Sequence, residues 1–269
     1  MRVALSQMEA GTDKAANLAQ IEAAARNAAQ AGAQLVVFPE SAMLYSRELD
    51  ARQLLAAERL DGPFGRRLGE LAAQHRITIV CGVFEQAGGE SVYNTVVVYG
   101  PAGTRLGQYR KIHLYDAFNR RESDLVAAGE GDLFTFSQDD LTFGVMNAYD
   151  IRFPELAREL VVDRGAQVLI LPAAWVRGNE KEDHWEVLVR ARAIENTVYV
   201  LAADQVGQDC CGSSMIVDPM GVPLARGGES PELVLGDISA ERVREVRRMN
   251  PSLENRRLVS FVPDLVGGS

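Results

Sequence analysis

Three stretches of this chain carry residue types suited to acid–base and charge-stabilising chemistry. Val36-Val37-Phe38-Pro39-Glu40 runs an apolar strand into a carboxylate behind a proline that stiffens the exit. Strand ends of this kind favour active sites. Tyr109-Arg110-Lys111-Ile112-His113-Leu114 places a lysine after a strand and turn that end near Gly107. From Gly144 to Glu155 the chain reads Gly-Val-Met-Asn-Ala-Tyr-Asp-Ile-Arg-Phe-Pro-Glu, an apolar strand ending at a turn. Taken singly, Glu40 is a solvated loop residue or a cap, Lys111 is surface charge, and Ala148 is an unremarked strand end.

Taken together, the three segments stand in the order and at the separations found in the nitrilase superfamily, the carbon–nitrogen hydrolases, which the chain resembles. In that family a cysteine stands where Ala148 stands here. The resemblance extends from Val3-Ala-Leu-Ser-Gln7 through His184-Trp-Glu-Val-Leu-Val-Arg-Ala-Arg-Ala-Ile-Glu-Asn196 to Gly212-Ser-Ser-Met-Ile-Val-Asp-Pro219, nearly the whole chain. The His-Trp-Glu helix start and the Arg-Ala-Arg-Ala pattern are most similar to the ω-amidase and deaminated-glutathione amidase branch.

The resemblance implies a chemistry. A resonance-stabilised amide needs a strong nucleophile, a group to polarise its carbonyl and a proton for the departing nitrogen. By motif, Glu40 takes the general base and acid role and Lys111 holds the oxyanion. The backbone N–H of Tyr149, next after the nucleophile, is the second oxyanion donor. Glu122, in Arg120-Arg121-Glu122-Ser123, matches the family's second glutamate, as structural support or direct participant. Ala148 removes the only atom that could form a thioester, so the site is expected to bind an amide without cleaving it. Its origin is an engineered change made to trap a ligand or a natural loss that left a binding protein. Retention of Glu40, Lys111, Glu122 and the turn favours the former.

Substrate contacts are expected from Ser41 to Ser46 and from Pro172 to Asp183, with Tyr45, Trp175 and Arg177 as candidates. Arg177 or Arg152 would bind the carboxylate of a small carboxylated amide, because guanidinium can pair with it bidentately. For Arg177 and Lys181 an exposed loop charge is the equal alternative, and Arg152 can serve structure alone. An N-carbamoyl amino acid hydrolase and a nucleophile-free binding pseudoenzyme are the rival functions.

The elements that must position these residues alternate. Short apolar strands are expected at Val3 to Gln7, Gln34 to Phe38, Thr78 to Phe84, Thr95 to Tyr99, Thr142 to Asn147, Val168 to Leu171, Val198 to Asp204, Ser214 to Asp218 and Leu233 to Asp237. Helical spacing marks Asn17 to Ala31, Phe64 to Gln74, Pro154 to Asp163, His184 to Asn196 and Glu241 to Met249. The alternation favours α/β architecture. Gly88-Gly89, Pro101-Ala-Gly103 and Asp218-Pro-Met-Gly221 mark hairpins, so the sheet is mixed. The resemblance implies a four-layer α-β-β-α sandwich and pairing into a homodimer or higher homo-oligomer, while the length and the lack of a composition break read as one domain over 1–269, with a flexible tail expected at 262–269.

Composition is that of a globular protein: 269 residues, 47% hydrophobic and 24% charged. A net charge of −9 argues against a nucleic-acid binder and fits small-molecule chemistry better, and the resemblance implies that the small molecule is an amide. No apolar run is long enough for a membrane span and the strand pattern starts at once, so a soluble cytoplasmic protein is expected. The three cysteines read as a buried thiol, Cys81, and a loop pair, Cys210 and Cys211, with a minor redox possibility. His75, His113 and His184 lie apart without metal-ligand spacing, so no catalytic metal is expected, and glycine-rich spots such as Gly227-Gly228 lack a phosphate-loop or dinucleotide pattern, so no nucleotide cofactor is expected.

Overall fold

A computed structural model describes residues 1–178 and 180–258. The 262–269 tail lies outside the described residues. In chain order the strands are β1 (Arg2–Gln7), β2 (Leu35–Val37), β3 (Thr78–Gly88), β4 (Ser91–Tyr99), β5 (Arg105–Arg110), β6 (Val126–Ala127), β7 (Thr135–Gln138), β8 (Leu141–Val145), β9 (Val168–Ala173), β10 (Tyr199–Asp204), β11 (Met215–Val217), β12 (Pro223–Arg226) and β13 (Glu232–Asp237). The helices are α1 (Lys14–Gln30), α2 (Ala51–Ala56), α3 (Pro63–His75), α4 (Pro154–Val162), α5 (Lys181–Asn196) and α6 (Ala240–Met249).

Two mixed sheets form. One runs β13-β1-β2-β3-β4-β5, with β6 paired to β4, and the other runs β12-β11-β10-β9-β8-β7. Each is built around three parallel strands, β1-β2-β3 and β8-β9-β10. Parallel neighbours cannot be joined by a tight hairpin, so helices carry the crossovers: α1 between β1 and β2, α4 between β8 and β9, and α5 between β9 and β10. The expected hairpins then extend each sheet antiparallel, β3 to β4, β4 to β5 and β11 to β12.

Alternation along the strands sorts the core into layers, because successive side chains leave opposite faces. Val3 and Leu5 of β1 join Leu35, Val37, Val80, Val145 and Ile170 between the two sheets. Ala4, Val36, Ile79 and Cys81 point the other way, against Ile21 and Ala25 of α1 and Leu68 and Leu71 of α3. On the far side of the second sheet, Leu160 of α4 and Trp185, Val189 and Ala193 of α5 complete the packing. The result is the expected α-β-β-α order.

Helix ends follow local chemistry. The Asp13 carboxylate accepts from the Ala15 and Ala16 N–H groups at the start of α1, satisfying donors that the helix itself leaves open. Pro63 and Pro154 start α3 and α4, where a missing N–H costs nothing.

Several elements depart from expectation. β5 runs through Gly107 to Arg110 without a turn, so Lys111 is the first residue beyond a strand. Its residues Arg105-Leu-Gly-Gln-Tyr-Arg are half polar and lie on a sheet edge, which hides the apolar signal. β7 and β12 are the edges of the second sheet, and they, like β6 and α2, are short and partly exposed. Cys210 and Cys211 are buried, each in an isolated bridge, Val176 with Cys210 and Val206 with Cys211, rather than on an open loop. Among the described residues no helix is long and apolar enough to cross a membrane.

Candidate active site

The C-terminal ends of the parallel strands face one cleft, the place where open parallel sheets put their ligands. Glu40 follows β2, Ala148 follows β8, and Ala174 and Trp175 follow β9. Lys111 and Asn94 come from the antiparallel extension β4-β5. All six line a cleft enclosing about 730 Å3, part of it open to solvent.

At its floor Lys111 joins two carboxylates. Its Nζ donates to Glu40 Oε1 and to Glu122 Oε2, both at 2.9 Å. All three side chains are buried. Burial alone would lower the ammonium pKa, but the charges of Glu122 and Glu40 outweigh it and hold Lys111 above its ordinary value. The lysine is therefore a fixed cation.

Asn94 locks the same pair from the other side. Its Nδ2 donates to Glu40 Oε1 at 2.8 Å and to Glu122 Oε1 at 2.9 Å, and its Oδ1 accepts from Asn147 Nδ2 at 2.9 Å. The Ala174 N–H reaches Glu40 Oε2 at 3.0 Å and the Tyr115 N–H reaches Glu122 Oε2 at 2.6 Å. Gln205 holds the Glu40 backbone carbonyl at 3.0 Å. With each carboxyl group accepting three hydrogen bonds, the site is preorganised around Lys111.

Ala148 sits on the turn between β8 and α4 at φ 45°. Only glycine enters this left-handed region without steric cost, and such strain at a non-glycine residue gathers at functional turns. A strand-to-helix elbow of this shape pushes the side chain of its central residue out into a cleft. Asp150 pins the elbow: it is fully buried, and its carboxylate accepts from the Asn147 N–H at 2.8 Å, the Tyr109 hydroxyl at 2.7 Å and the His113 N–H at 3.3 Å. His113 Nδ1 lies 2.7 Å from the same carboxylate.

The structure brings Glu40, Lys111, Glu122, Ala148, Tyr149, Tyr45 and Trp175 to one cleft. It does not bring Arg152 or Arg177 to its lining. The Arg152 guanidinium lies 4.8 Å over the Trp175 ring and 3.4 Å from His184, behind the wall. Arg177 turns toward the Gly207 carbonyl and Glu182. Besides Lys111, the cations on the lining are Lys181 and Arg120. Lys181 is only 5% exposed, so the loop-charge alternative does not describe it.

Asn94 and Asp150 also went unread in the sequence. Asn94 stands just before the strand expected from Thr95 and gave no local signal. Beside the cleft, Asp204 is fully buried, accepting from the Trp175 N–H at 2.7 Å and the Cys211 thiol at 3.1 Å. Desolvation pushes its carboxyl well above the usual range. Burial likewise raises the Cys210 and Cys211 thiols, which makes them poor nucleophiles.

Residues 2–248 match the family model for carbon-nitrogen hydrolases. The chain belongs to the carbon–nitrogen hydrolase family. This carbon–nitrogen hydrolase is 39% identical to a deaminated glutathione amidase of Escherichia coli O157:H7, over 86% of this chain and 87% of that protein. It is 32% identical to the human omega-amidase NIT2, over 95% of each. Among solved structures it superposes on a variant of the Nesterenkonia sp. AN1 amidase, from the nitrilase superfamily, with TM-score 0.77 and 30% identity, covering 93% of this chain and 94% of that one. Another structure of that amidase shows acrylamide added to its active-site cysteine.

Proposed function

We propose that this carbon–nitrogen hydrolase presents a small-amide site in which every part of the hydrolytic machinery but the nucleophile is in place, so that it holds an amide without cleaving it. The observation that carries this reading is Ala148 on a left-handed strand-to-helix elbow, lining the same cleft as the Lys111–Glu40–Glu122 cluster. A methyl group there cannot attack a carbonyl.

The remaining groups suit the rest of the reaction. Lys111 is a permanent cation where negative charge would build on a carbonyl oxygen, and the Tyr149 N–H is a second donor. Glu40 would take the proton from a thiol and hand it to the departing ammonia. Water activated by Glu40 would then hydrolyse the thioester. Glu122 receives the other side of Lys111 and the Tyr115 N–H, which suits a residue that sets the position of the lysine.

The test is Ala148→Cys under reducing conditions, with ammonia release followed over a panel of ω-amides and carbamoyl amino acids. The expected result is turnover by the cysteine form alone, with release of carbon dioxide only if ureido compounds are the substrates. Loss of a nucleophile removes about 10⁶ of rate in a triad hydrolase, which sets the scale of the expected gain. A well-folded cysteine form that acts on no member of the panel would defeat the reading.

A further inference from the structure

The cleft is polarised along its length. At the Ala148 end, Glu40, Glu122 and Lys111 sum to one negative charge. At the other end Lys181 and Arg120 line the wall, and neither has an acidic partner among the described residues. Tyr115 spans the two: its N–H donates to Glu122, and its hydroxyl accepts from Lys181 Nζ at 2.8 Å. The two ends are thus about one tyrosine apart.

Lys181 is held in an aromatic setting. Its Nζ lies 5.0 Å from the ring centre of Tyr115, 5.2 Å from Phe118 and 6.0 Å from Trp175. Burial, with Arg120 and Arg152 nearby, draws its pKa below the ordinary lysine value. Arg152, stacked behind Trp175, has a buried Nε with no partner. Buried charge is normally paired. Here the buried Lys181 gathers with the half-buried Arg120 and Arg152, and none of the three has a carboxylate partner among the described residues, in a chain whose net charge is −9.

We propose that Lys181, assisted by Arg120, reads a carboxylate on the ligand and so sets both its class and its direction, amide toward Ala148 and acid toward Lys181. The assignment rests on the amide-site reading above. The reverse orientation would set the ligand's acid group against Glu40 and Glu122. Arg152 contributes charge through the Trp175 wall without touching the ligand.

The unaltered chain, which does not turn its ligand over, permits a direct binding test. Calorimetric titration with glutaramate and with neutral glutaramide compares ligands that differ in the acid group alone. Glutaramate is expected to bind more tightly, and Lys181→Met to remove about 10- to 100-fold of its affinity, the scale of one charged hydrogen bond. Glutaramide affinity is expected to persist in that variant, which shows the cleft is intact, and Lys181→Arg to recover part of the loss. Equal binding of the two ligands, or a Lys181→Met variant that keeps the preference, overturns the assignment while leaving the amide site standing. If neither ligand binds and the Ala148→Cys form releases no ammonia, the amide-site reading itself has failed and the role of Lys181 falls with it.

Discussion

The Tyr109 hydroxyl donates to the Asp150 carboxylate across 2.7 Å, with both residues buried. Tyr109 belongs to β5 in one sheet, one residue from the Arg110 that precedes Lys111, and Asp150 follows Ala148 on the elbow of the other. One hydrogen bond thus couples the segment that carries the cation to the turn that carries Ala148. Tyr109→Phe is expected to lower stability by about 1–3 kcal/mol, since it leaves a buried carboxylate short of a donor. The urea midpoint reads this, and an unchanged midpoint would show that the bond does not tie the sheets.

Gly82 on β3 lets the Glu40 turn pass. A Cβ there would stand 2.5 Å from the Pro39 carbonyl oxygen, 2.7 Å from Glu40 Cα and 2.8 Å from the Ser41 nitrogen. These are backbone atoms that cannot swing aside. Gly82→Ala should cost roughly 1–3 kcal/mol as an overpacking change. In the Ala148→Cys background it should also depress ammonia release, because Glu40 moves with the turn. Thermal unfolding and initial rates measured together would expose the opposite result, a variant that is as stable and as active as its parent.

Lys111→Met strips the shared cation from Glu40 and Glu122 and leaves two buried carboxylates facing each other. Breaking a buried ion pair from one side costs about 3–5 kcal/mol, so a large drop in melting temperature near neutral pH is expected. The sign with pH follows from the raised lysine pKa. Its stabilisation is complete below the unfolded value of about 10.4 and is lost as pH rises through the still higher folded value. Between about pH 7 and pH 9 the melting difference between parent and variant should therefore not shrink, and its decline should come only in strong alkali. A difference that shrinks between about pH 7 and pH 9 would contradict it.

Asp204 works in the opposite direction for the native state at neutral pH. Its carboxyl is raised, chiefly by desolvation, so the folded chain binds a proton that the unfolded chain releases near pH 4. Stability from this group is present below that pH and declines as pH rises toward the folded value. Asp204→Asn keeps an acceptor for the Trp175 N–H and removes the titration. Melting curves from pH 4 to 7 should show the variant gaining on the parent as pH rises, and parallel curves would show that Asp204 does not carry the proton.

Much of the active-site floor could be read from contiguous residues. Phe-Pro-Glu, the Tyr-Arg-Lys-x-His-Leu segment and the turn around Ala148 each keep their residues within one strand exit, so local order is enough to recognise them. Asn94 was hidden because its role is to face Glu40 and Glu122, 54 and 28 positions away in the chain. No local pattern distinguishes it from a polar residue at a strand start. Edge strands such as β5 were obscured for a related reason: an edge is half solvated, so its residues need not alternate cleanly.

The sequence by itself determined the family and which residues could stand at the centre of the chemistry, because strand exits and motif order are properties of neighbouring residues, and the layer order came as what that resemblance implies. Only the tertiary structure decided which cations look into the cleft. Arg152 and Arg177 were the natural candidates by position, yet Arg152 lies against the Trp175 ring and Arg177 turns toward Gly207 and Glu182. Lys181 takes the place on the lining because α5 starts beside the Tyr115 loop, 66 residues earlier in the chain, and the Tyr115 hydroxyl receives its ammonium. The direction of a long side chain is set by what packs around it, and that is decided only when distant segments meet.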